Sequence, residues 1–247
     1  MDASIELGED FFIREGYKVV ILSRPGYGNT SLAMGPTPRE FADSVARLLT
    51  KLGVTQVVVL GISAGGRSAI SLAAQYPDIV QKLILQSATS FMSWPDARTR
   101  NIAKIAFNPS MQKITWYIMR RLLKHHPGAG LKMMLADMTT LNPDEVIKNL
   151  TSEERKSLVQ LFSHLQSGEG FMNDLKEAKG SAKDVRVPTL IIHSKYDKSV
   201  DPTHAQKLHK EIAASQLSIS DAKSHMIWFS DSYKEIQKVM KDFLKNS

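Results

Sequence analysis

The sequence contains no cysteine, no long apolar run and no basic residue near its start. Without cysteine, disulfide bonds, thiolate metal sites and a cysteine nucleophile are excluded. A membrane span needs about 20 consecutive apolar residues, and the apolar runs here, such as residues 57–60, are much shorter. The first ten residues carry four acidic side chains, whereas a signal peptide begins with positive charge. We therefore expect a cytoplasmic protein.

Hydrophobic residues make up 43% of the 247 residues and charged residues 23%, a balance typical of a folded protein rather than a disordered or fibrous one. This length is sufficient for one large domain, or for a core domain that carries its own lid.

Acidic residues are absent from residues 97–136, although this segment carries eight basic residues and the net charge of the chain is only +7. No recognisable nucleic-acid module accompanies this charge, so nucleic acid is not predicted as a partner. We interpret the segment as the solvated face of helices. Part of it has apolar residues on one side of a predicted helix and basic residues on another: Ile114, Tyr117, Ile118 and Leu122 against Lys113, Arg120 and Lys124. An anionic membrane surface is therefore an alternative partner, although a helix packed over a pocket shows the same pattern.

Strand and helix patterns alternate in the first third of the chain and again after residue 180. Short apolar runs predict buried strands at residues 17–22, 54–60, 83–86, 188–193 and 217–220. Amphipathic segments predict helices at residues 4–15, 37–52, 64–76, 203–214 and 233–244, the second of which begins with a capping box formed by Thr37 and Glu40. This alternation predicts an α/β fold with a mostly parallel sheet and flanking helices.

Residues 91–180 show helical patterns alone, and seven of the 11 methionines lie there. We predict one α/β core formed by residues 1–90 and 181–247, with residues 91–180 inserted as an all-helical cap. The methionines are interpreted as ordinary helix packing. The alternative is an adaptable apolar pocket for acyl groups, because methionine is flexible and polarizable.

A glycine-flanked serine is the sharpest chemical signal. Gly61, Ser63 and Gly65 form a G-x-S-x-G pattern between a predicted strand and a predicted helix. A tight turn at this place lifts the serine hydroxyl toward solvent, and small neighbours are expected because Cβ atoms would collide there. The helix N-terminus behind the turn favours developing negative charge.

A serine hydroxyl is a poor nucleophile until a base takes its proton, so a histidine held by a carboxylate is also required. In this architecture the acid and the histidine follow two late strands. Asp197 follows the strand predicted at residues 188–193, and His225 follows the strand predicted at residues 217–220. Asp201 is the alternative acid, although its place before Pro202 fits a helix-start residue better.

Five of the other histidines are interpreted as having no role in the chemistry. His204 and His209 lie on a predicted helix and are expected to face solvent. His193 ends a predicted strand and is expected to be structural, and His125 and His126 are expected to be an exposed pair.

Four segments together resemble the α/β-hydrolase superfamily: residues 17–30 with Arg24-Pro25-Gly26-Tyr27-Gly28, residues 61–66, residues 188–202, and Ser224-His225. Ser23 stands where an aspartate is usual before the Arg-x-Gly loop, which leaves the triad untouched.

The resemblance implies that Ser63 is the nucleophile, His225 the general base and acid, and Asp197 the residue that orients the imidazole. It also implies that the Ala64 N–H is one donor of the oxyanion hole, that residues 91–180 form the cap over the acyl pocket, and that neither a metal nor an organic cofactor is needed.

The front of the chain departs from the family, whose members ordinarily begin with two or three more strands and a His-Gly motif. The resemblance therefore implies an N-terminally truncated chain or a misplaced start. The second oxyanion donor would have to come from Met1 or its neighbours. A strand of the family would be missing between residues 17–22 and 54–60, so these two predicted strands should be adjacent or separated by an unfilled slot of about 10 Å.

We predict a serine hydrolase of the carboxylesterase or lipase type that cleaves a small or medium carboxylic ester, its small-molecule acyl substrate, through an acyl-enzyme. One alternative is an aminopeptidase similar to proline iminopeptidase, which shares the Arg-Pro-Gly-Tyr-Gly loop but needs acidic cap residues to hold the substrate amine. The other is a truncated protein of this fold that is catalytically weak or inert.

Overall fold

Four parallel strands form the centre of the protein, whose computed structural model describes residues 7–108, 110–176 and 179–245. The strands lie in the sheet in chain order: β1 Val57–Ile62, β2 Val80–Gln86, β3 Thr189–Ser194 and β4 Ser215–Ser220. Each neighbouring pair is parallel, so the carboxyl ends of all four strands meet at one edge of the sheet.

Eleven α-helices occur within the described ranges: α1 Glu9–Arg14, α2 Pro38–Lys51, α3 Gly66–Gln75, α4 Ala97–Ala106, α5 Gln112–His125, α6 Pro127–Leu135, α7 Pro143–Asn149, α8 Ser152–His164, α9 Gly168–Asp174, α10 Thr203–Glu211 and α11 Tyr233–Lys245. None of the described helices is both long and apolar enough to cross a bilayer.

Alternation along the strands divides the core into two layers. Leu83, Leu85 and Ile191 pack with α2, α3 and α10 on one face of the sheet. Ile84 and Ile192 point to the other face, where they pack with α1, α8 and α11. Because successive residues of a strand point to opposite faces, one apolar run supplies both layers. The predicted α/β class is confirmed.

The start of α2 shows how local sequence sets an element boundary. The Glu40 N–H donates to the Thr37 hydroxyl, and the Glu40 carboxylate accepts from the Thr37 N–H, as the capping box predicts. Gly53 follows the helix with a φ of +67°, a left-handed conformation that glycine adopts easily. The Val54 N–H then bonds to the Leu49 carbonyl at 2.9 Å, so β1 begins at Val57 rather than at the predicted residue 54.

The predicted strand at residues 17–22 is wrong. These residues adopt no strand, and Val20 and Ile21 are 59% and 64% exposed. In the described part of the chain β1 pairs with β2 alone, so the other edge of β1 is left unpaired and residues 17–22 do not fill it. The expected adjacency of two strands at residues 17–22 and 54–60 is therefore wrong, and the alternative, an unfilled slot beside β1, stays a prediction. Of the helix predicted at residues 4–15, Glu9–Arg14 is observed, and residues 1–6 lie outside the described ranges.

The described residues between β2 and β3 form helices α4 to α9 and no strand, as the sequence pattern predicts. Several of the methionines there, Met119, Met134 and Met138, pack against the core layer that contains Leu123 and Phe162. This arrangement agrees with the interpretation as ordinary helix packing.

Candidate active site

Ser63 lies at the turn between β1 and α3. Its φ is +48°, a conformation that is uncommon for a residue other than glycine and that is typical of a strained functional turn. A short 3-10 turn over Ser63–Gly65 leads into α3, and the Thr89 N–H donates to the Ser63 carbonyl at 3.0 Å. This hydrogen bond from the loop after β2 therefore holds the backbone of Ser63 in place.

The glycines around Ser63 differ in how strictly they are needed. A Cβ on Gly61 would lie 2.6 Å from the Ala69 Cβ, and one on Gly66 would lie 2.7 Å from the Thr89 carbonyl oxygen. A Cβ on Gly65 would meet nothing nearer than 3.9 Å, and the φ of Gly65 is −69°. The predicted collision therefore occurs at Gly61 and Gly66, and the steric reason given for Gly65 is wrong.

The structure brings Ser63, His225 and Asp197 together. The His225 Nε2 is 3.0 Å from the Ser63 Oγ, and the His225 Nδ1 is 2.7 Å from an Asp197 oxygen. An ionised carboxylate only accepts hydrogen bonds, so Nδ1 carries the proton and donates it to Asp197. In neutral His225 the Nε2 is then left to accept from the Ser63 hydroxyl. This is the geometry in which a histidine can take the proton of a serine.

Asp197 is buried and accepts three different donors. Its second oxygen accepts the Val200 N–H at 2.9 Å, and the His193 Nε2 lies 3.3 Å from the oxygen that faces His225. Burial alone raises the pKa of Asp197, but the charges and hydrogen bonds of His225 and His193 outweigh it and lower the pKa to about 2. The carboxylate is therefore ionised at every pH at which the protein is expected to work.

His193 has a place beside Asp197 that the sequence did not predict. Its side chain is fully buried, and the Nε2 also lies 2.8 Å from the Val200 carbonyl oxygen. Because a carbonyl only accepts, Nε2 is the protonated nitrogen and donates to both oxygens. The prediction of a structural histidine agrees with this geometry, which fixes the loop that carries Asp197.

Three residues of the helical segment hold both loops in place. The Met138 carbonyl accepts the His225 N–H at 2.8 Å, and the Thr139 hydroxyl donates to the Lys223 carbonyl at 2.5 Å. Thr139 also forms an isolated bridge with Asp197, and the Thr140 N–H donates to the Tyr196 carbonyl at 2.9 Å. These backbone contacts have no sequence signature, so sequence reasoning could not find them.

Asp201, the alternative acid, starts a helix as predicted. One of its oxygens accepts the Thr203 N–H at 2.9 Å and the Thr203 hydroxyl at 2.6 Å, at the first turn of α10. Its own hydrogen bonds to Thr203 are the largest cause of a lowered pKa.

The expectation that His204 faces solvent is wrong, whereas His209 on the same helix is exposed. His204 is 3% exposed, and its Nδ1 accepts the Ser90 N–H at 3.0 Å. Burial, together with the nearby charge of Arg67, lowers the pKa of His204 to about 4. The spacing of apolar residues in α10 did not predict the burial of His204, because a helix of nine residues has few positions on its buried side.

Acid is therefore expected to destabilise the fold through His204. In the unfolded chain the imidazole gains a proton below its ordinary pKa of about 6.5, whereas in the folded protein it stays neutral down to about pH 4. The unfolded state then binds more protons, so the free energy of unfolding should fall by about 3 kcal/mol as the pH drops through this window. Urea unfolding at a series of pH values measures the fall.

The matched variants for that measurement are His204→Gln and His209→Gln. The first should flatten the pH dependence between about pH 6.5 and pH 4, and the second should keep the slope of the unchanged protein. Equal slopes in all three proteins would show that His204 does not carry the effect.

A cluster of charged side chains joins the loop after residue 23 to α9. Arg24 makes two hydrogen bonds to Asp174, of 2.5 and 2.7 Å, and the Tyr27 hydroxyl donates to the same carboxylate at 2.6 Å. Arg67 is buried and donates to the carbonyl of Ser90 at 2.9 Å. The cluster ties the helical segment to the loops around α3.

A cavity of about 220 Å³ lies beside Ala64. Arg24, Arg67 and Asp174 are among its lining residues, and none of the described lining residues is a methionine. Apolar residues such as Phe41 line it as well, but without methionine it does not match the methionine-lined acyl pocket that is the alternative.

The Ala64 N–H is placed directly after Ser63, at the entry to α3. The second oxyanion donor was expected from Met1 and its neighbours, which lie outside the described residues. Within the described ranges, no group of three or more histidine, aspartate or glutamate side chains is placed to hold a metal ion.

Comparison with known proteins identifies the family. The family described as alpha/beta hydrolase fold matches residues 5–231 of this chain. The chain belongs to this family. Among curated proteins, it is 33% identical over 248 residues to the uncharacterized hydrolase YcgS of Bacillus subtilis (strain 168), a match that covers 98% of this chain and 87% of YcgS. The resemblance found in the sequence is therefore confirmed.

Solved structures and other curated relatives agree with this assignment. An alpha/beta hydrolase fold protein from Nakamurella multipartita has a TM-score of 0.79 and 25% identity, covering 96% of this chain and 86% of that one. A 2-hydroxy-6-oxo-6-phenylhexa-2,4-dienoate hydrolase of Comamonas testosteroni is 21% identical over 241 residues, or 95% of this chain and 79% of that protein.

Proposed function

We propose that this α/β hydrolase cleaves carboxylic esters through an acyl-enzyme intermediate, with Ser63, His225 and Asp197 as the catalytic residues. The observation that carries the proposal is the continuous path of hydrogen bonds from Asp197 through His225 to the Ser63 hydroxyl on a strained turn. Serine, acid and histidine also occur along the chain in the order that this architecture uses.

The first half of the reaction forms the acyl-enzyme. As the Ser63 Oγ attacks the ester carbonyl, the His225 Nε2 takes the hydroxyl proton. The resulting imidazolium is stabilised by Asp197, which remains ionised because the pKa of its carboxyl is held at about 2. The bond to the leaving alkoxide then breaks, and the Nε2 proton passes to that oxygen, so an alcohol is released.

The second half returns the enzyme to its starting state. The His225 Nε2 takes a proton from water, the hydroxide attacks the acyl carbon, and the carboxylic acid leaves as Ser63 regains its proton. In both halves the Ala64 N–H, near the positive end of α3, stabilises the oxyanion. In this proposal residues 91–180 are the cap, and the contacts of Met138 and Thr139 with the loops of His225 and Asp197 join that segment to the site.

Rapid mixing with p-nitrophenyl esters tests the proposal. A burst of nitrophenol close to one equivalent of enzyme should precede steady turnover, because acylation releases the phenol before water removes the acyl group. Mass spectrometry of the quenched enzyme should find the acyl group on the peptide that contains Ser63. If esters of short and medium acyl chains give neither hydrolysis nor an adduct, the proposal is wrong.

The same panel should include two other substrate classes. Several relatives are named as hydrolases of 2-hydroxy-6-oxo acids, so a substrate of that class tests carbon–carbon cleavage. An aminoacyl-prolyl or prolyl amide tests the aminopeptidase alternative. Asp174 is the acidic residue that lines the cavity, and it is already paired with Arg24, which disfavours binding of a substrate amine there. If either class is turned over faster than every ester, the proposal that esters are the substrates is wrong.

A further inference from the structure

Helices α4 and α5 expose large apolar side chains that a folded protein ordinarily buries. Ile114, Tyr117 and Ile118 on α5 are 51%, 60% and 59% exposed. Ile102 and Ile105 on α4 are exposed as well. The sequence pattern alone is equally compatible with a helix that packs its apolar side over a pocket, and the exposure of these side chains rules out that explanation for this surface.

These side chains lie on two consecutive helices that are held together at the end of α4 and the start of α5. Positions 114, 117 and 118 are neighbours on one side of α5, whereas Leu123 on the other side is buried. The Thr115 hydroxyl donates to the Ala106 carbonyl at 2.7 Å, which holds the end of α4 against the first turn of α5. We call these side chains the α4–α5 face, in which Arg120 is half-buried and the others are exposed: Ile102, Ile105, Lys113, Ile114, Tyr117, Ile118, Arg120 and Lys124.

Positive charge borders the apolar part of this face. Lys113, Arg120 and Lys124 are spaced by seven and four residues, so they form a row along α5 next to Tyr117. None of the three forms an ion pair with an acidic side chain of the described residues. The chain from residue 97 to residue 136 contains no acidic residue that could neutralise them.

The charge decides which partner the face fits. In a symmetric dimer formed through this face, the basic row of one copy would lie near the basic row of the other. Like charges brought together destabilise an interface. A bilayer that contains anionic lipids meets both requirements, since its headgroups attract lysine and arginine while its acyl chains accept isoleucine and tyrosine.

We propose that the α4–α5 face binds the surface of membranes that contain anionic lipids. The two helices lie in the plane of the surface, and the apolar side chains enter the boundary between headgroups and acyl chains, about 5–10 Å deep. Binding depends on anionic lipid and weakens as salt screens the basic row. This inference is independent of the reaction proposed for Ser63.

Vesicle flotation with the full chain tests the proposal. The protein should float with vesicles of phosphatidylcholine mixed with phosphatidylserine, and it should remain behind with vesicles of phosphatidylcholine alone. Binding should be strong at about 0.01 M salt, where the Debye length is about 30 Å, and lost at about 1 M salt, where it is about 3 Å.

Two sets of variants separate the apolar and the charged contributions. Combined Ile114→Ser, Tyr117→Ser and Ile118→Ser should weaken binding to the mixed vesicles at least about tenfold. Combined Lys113→Gln, Arg120→Gln and Lys124→Gln should also weaken it at least about tenfold, since anionic headgroups attract lysine and arginine side chains near the surface. Every replaced side chain is at least partly exposed, and circular dichroism checks that each variant folds.

Matched controls change the same residue types elsewhere on the surface. Ile219→Ser replaces an isoleucine of β4 that is 47% exposed, and combined Lys51→Gln, Lys183→Gln and Lys210→Gln removes three exposed charges. Both controls should bind within about threefold of the unchanged protein. The proposal is overturned if no vesicle binds at low salt, or if the controls weaken binding as much as the α4–α5 variants. It is also overturned if sedimentation shows a dimer that the Ile114, Tyr117 and Ile118 changes dissolve.

Discussion

Replacing Ser63 by alanine is expected to lower kcat for ester hydrolysis by about 10⁵- to 10⁶-fold, because the atom that forms the bond to the acyl carbon is removed. The change deletes one oxygen from a half-buried side chain, so the fold should persist. Removing the Ser63 hydroxyl removes its hydrogen bond to His225 and leaves the hydrogen bond between His225 and Asp197 intact. Steady-state kinetics on a p-nitrophenyl ester measures the loss.

Ser71→Ala is the matched control for this change, because Ser71 lies on α3 two turns beyond Ser63 and is also a small hydroxyl side chain. Its kcat should stay within about twofold of the unchanged protein. If Ser63→Ala keeps more than about a hundredth of the activity, a residue other than Ser63 attacks the substrate.

Replacing Asp197 by asparagine is expected to lower kcat by about 10⁴-fold. The amide has nearly the shape of the carboxylate but can present an N–H to the His225 Nδ1, which then becomes the accepting nitrogen. The proton of neutral His225 moves to Nε2, so this atom can no longer accept the proton of Ser63. The loss of the negative charge also leaves the imidazolium without its stabilising partner.

The pH dependence separates this explanation from a general loss of structure. In the unchanged protein Asp197 stays ionised down to about pH 2, so it should contribute no step to the activity profile near neutral pH. Asp201→Asn is the control, because asparagine can also start a helix and Asp201 bonds to Thr203 rather than to histidine. If Asp201→Asn lowers kcat as much as Asp197→Asn, the acid has been wrongly assigned.

The sequence predicted the parts of the fold that depend on local pattern. Strand β3 and helix α11 appear within one residue of their predicted bounds, since a buried apolar run and a helical spacing are properties of the segment itself. Residues 17–22 carry an equally apolar run and form no strand. A strand needs a partner edge, which is a property of the sheet and not of the segment.

The candidate site shows the same contrast between features that the sequence pattern predicts and features that depend on tertiary packing. The three residues proposed for catalysis were found from chain order, because parallel strands bring their carboxyl ends, and the loops after them, to one edge of the sheet. The burial of His204, the second histidine on Asp197 and the contacts of Met138 and Thr139 depend on how helices dock across that edge. Such docking has no signal in a single sequence.

The account depends on the Ser63 hydroxyl being activated by His225, and covalent labelling with a fluorophosphonate measures this most directly. We expect the unchanged protein to gain one phosphonyl group, located by peptide mapping at Ser63, and Ser63→Ala to gain none. Labelling of neither protein, or equal labelling of both, would contradict the account.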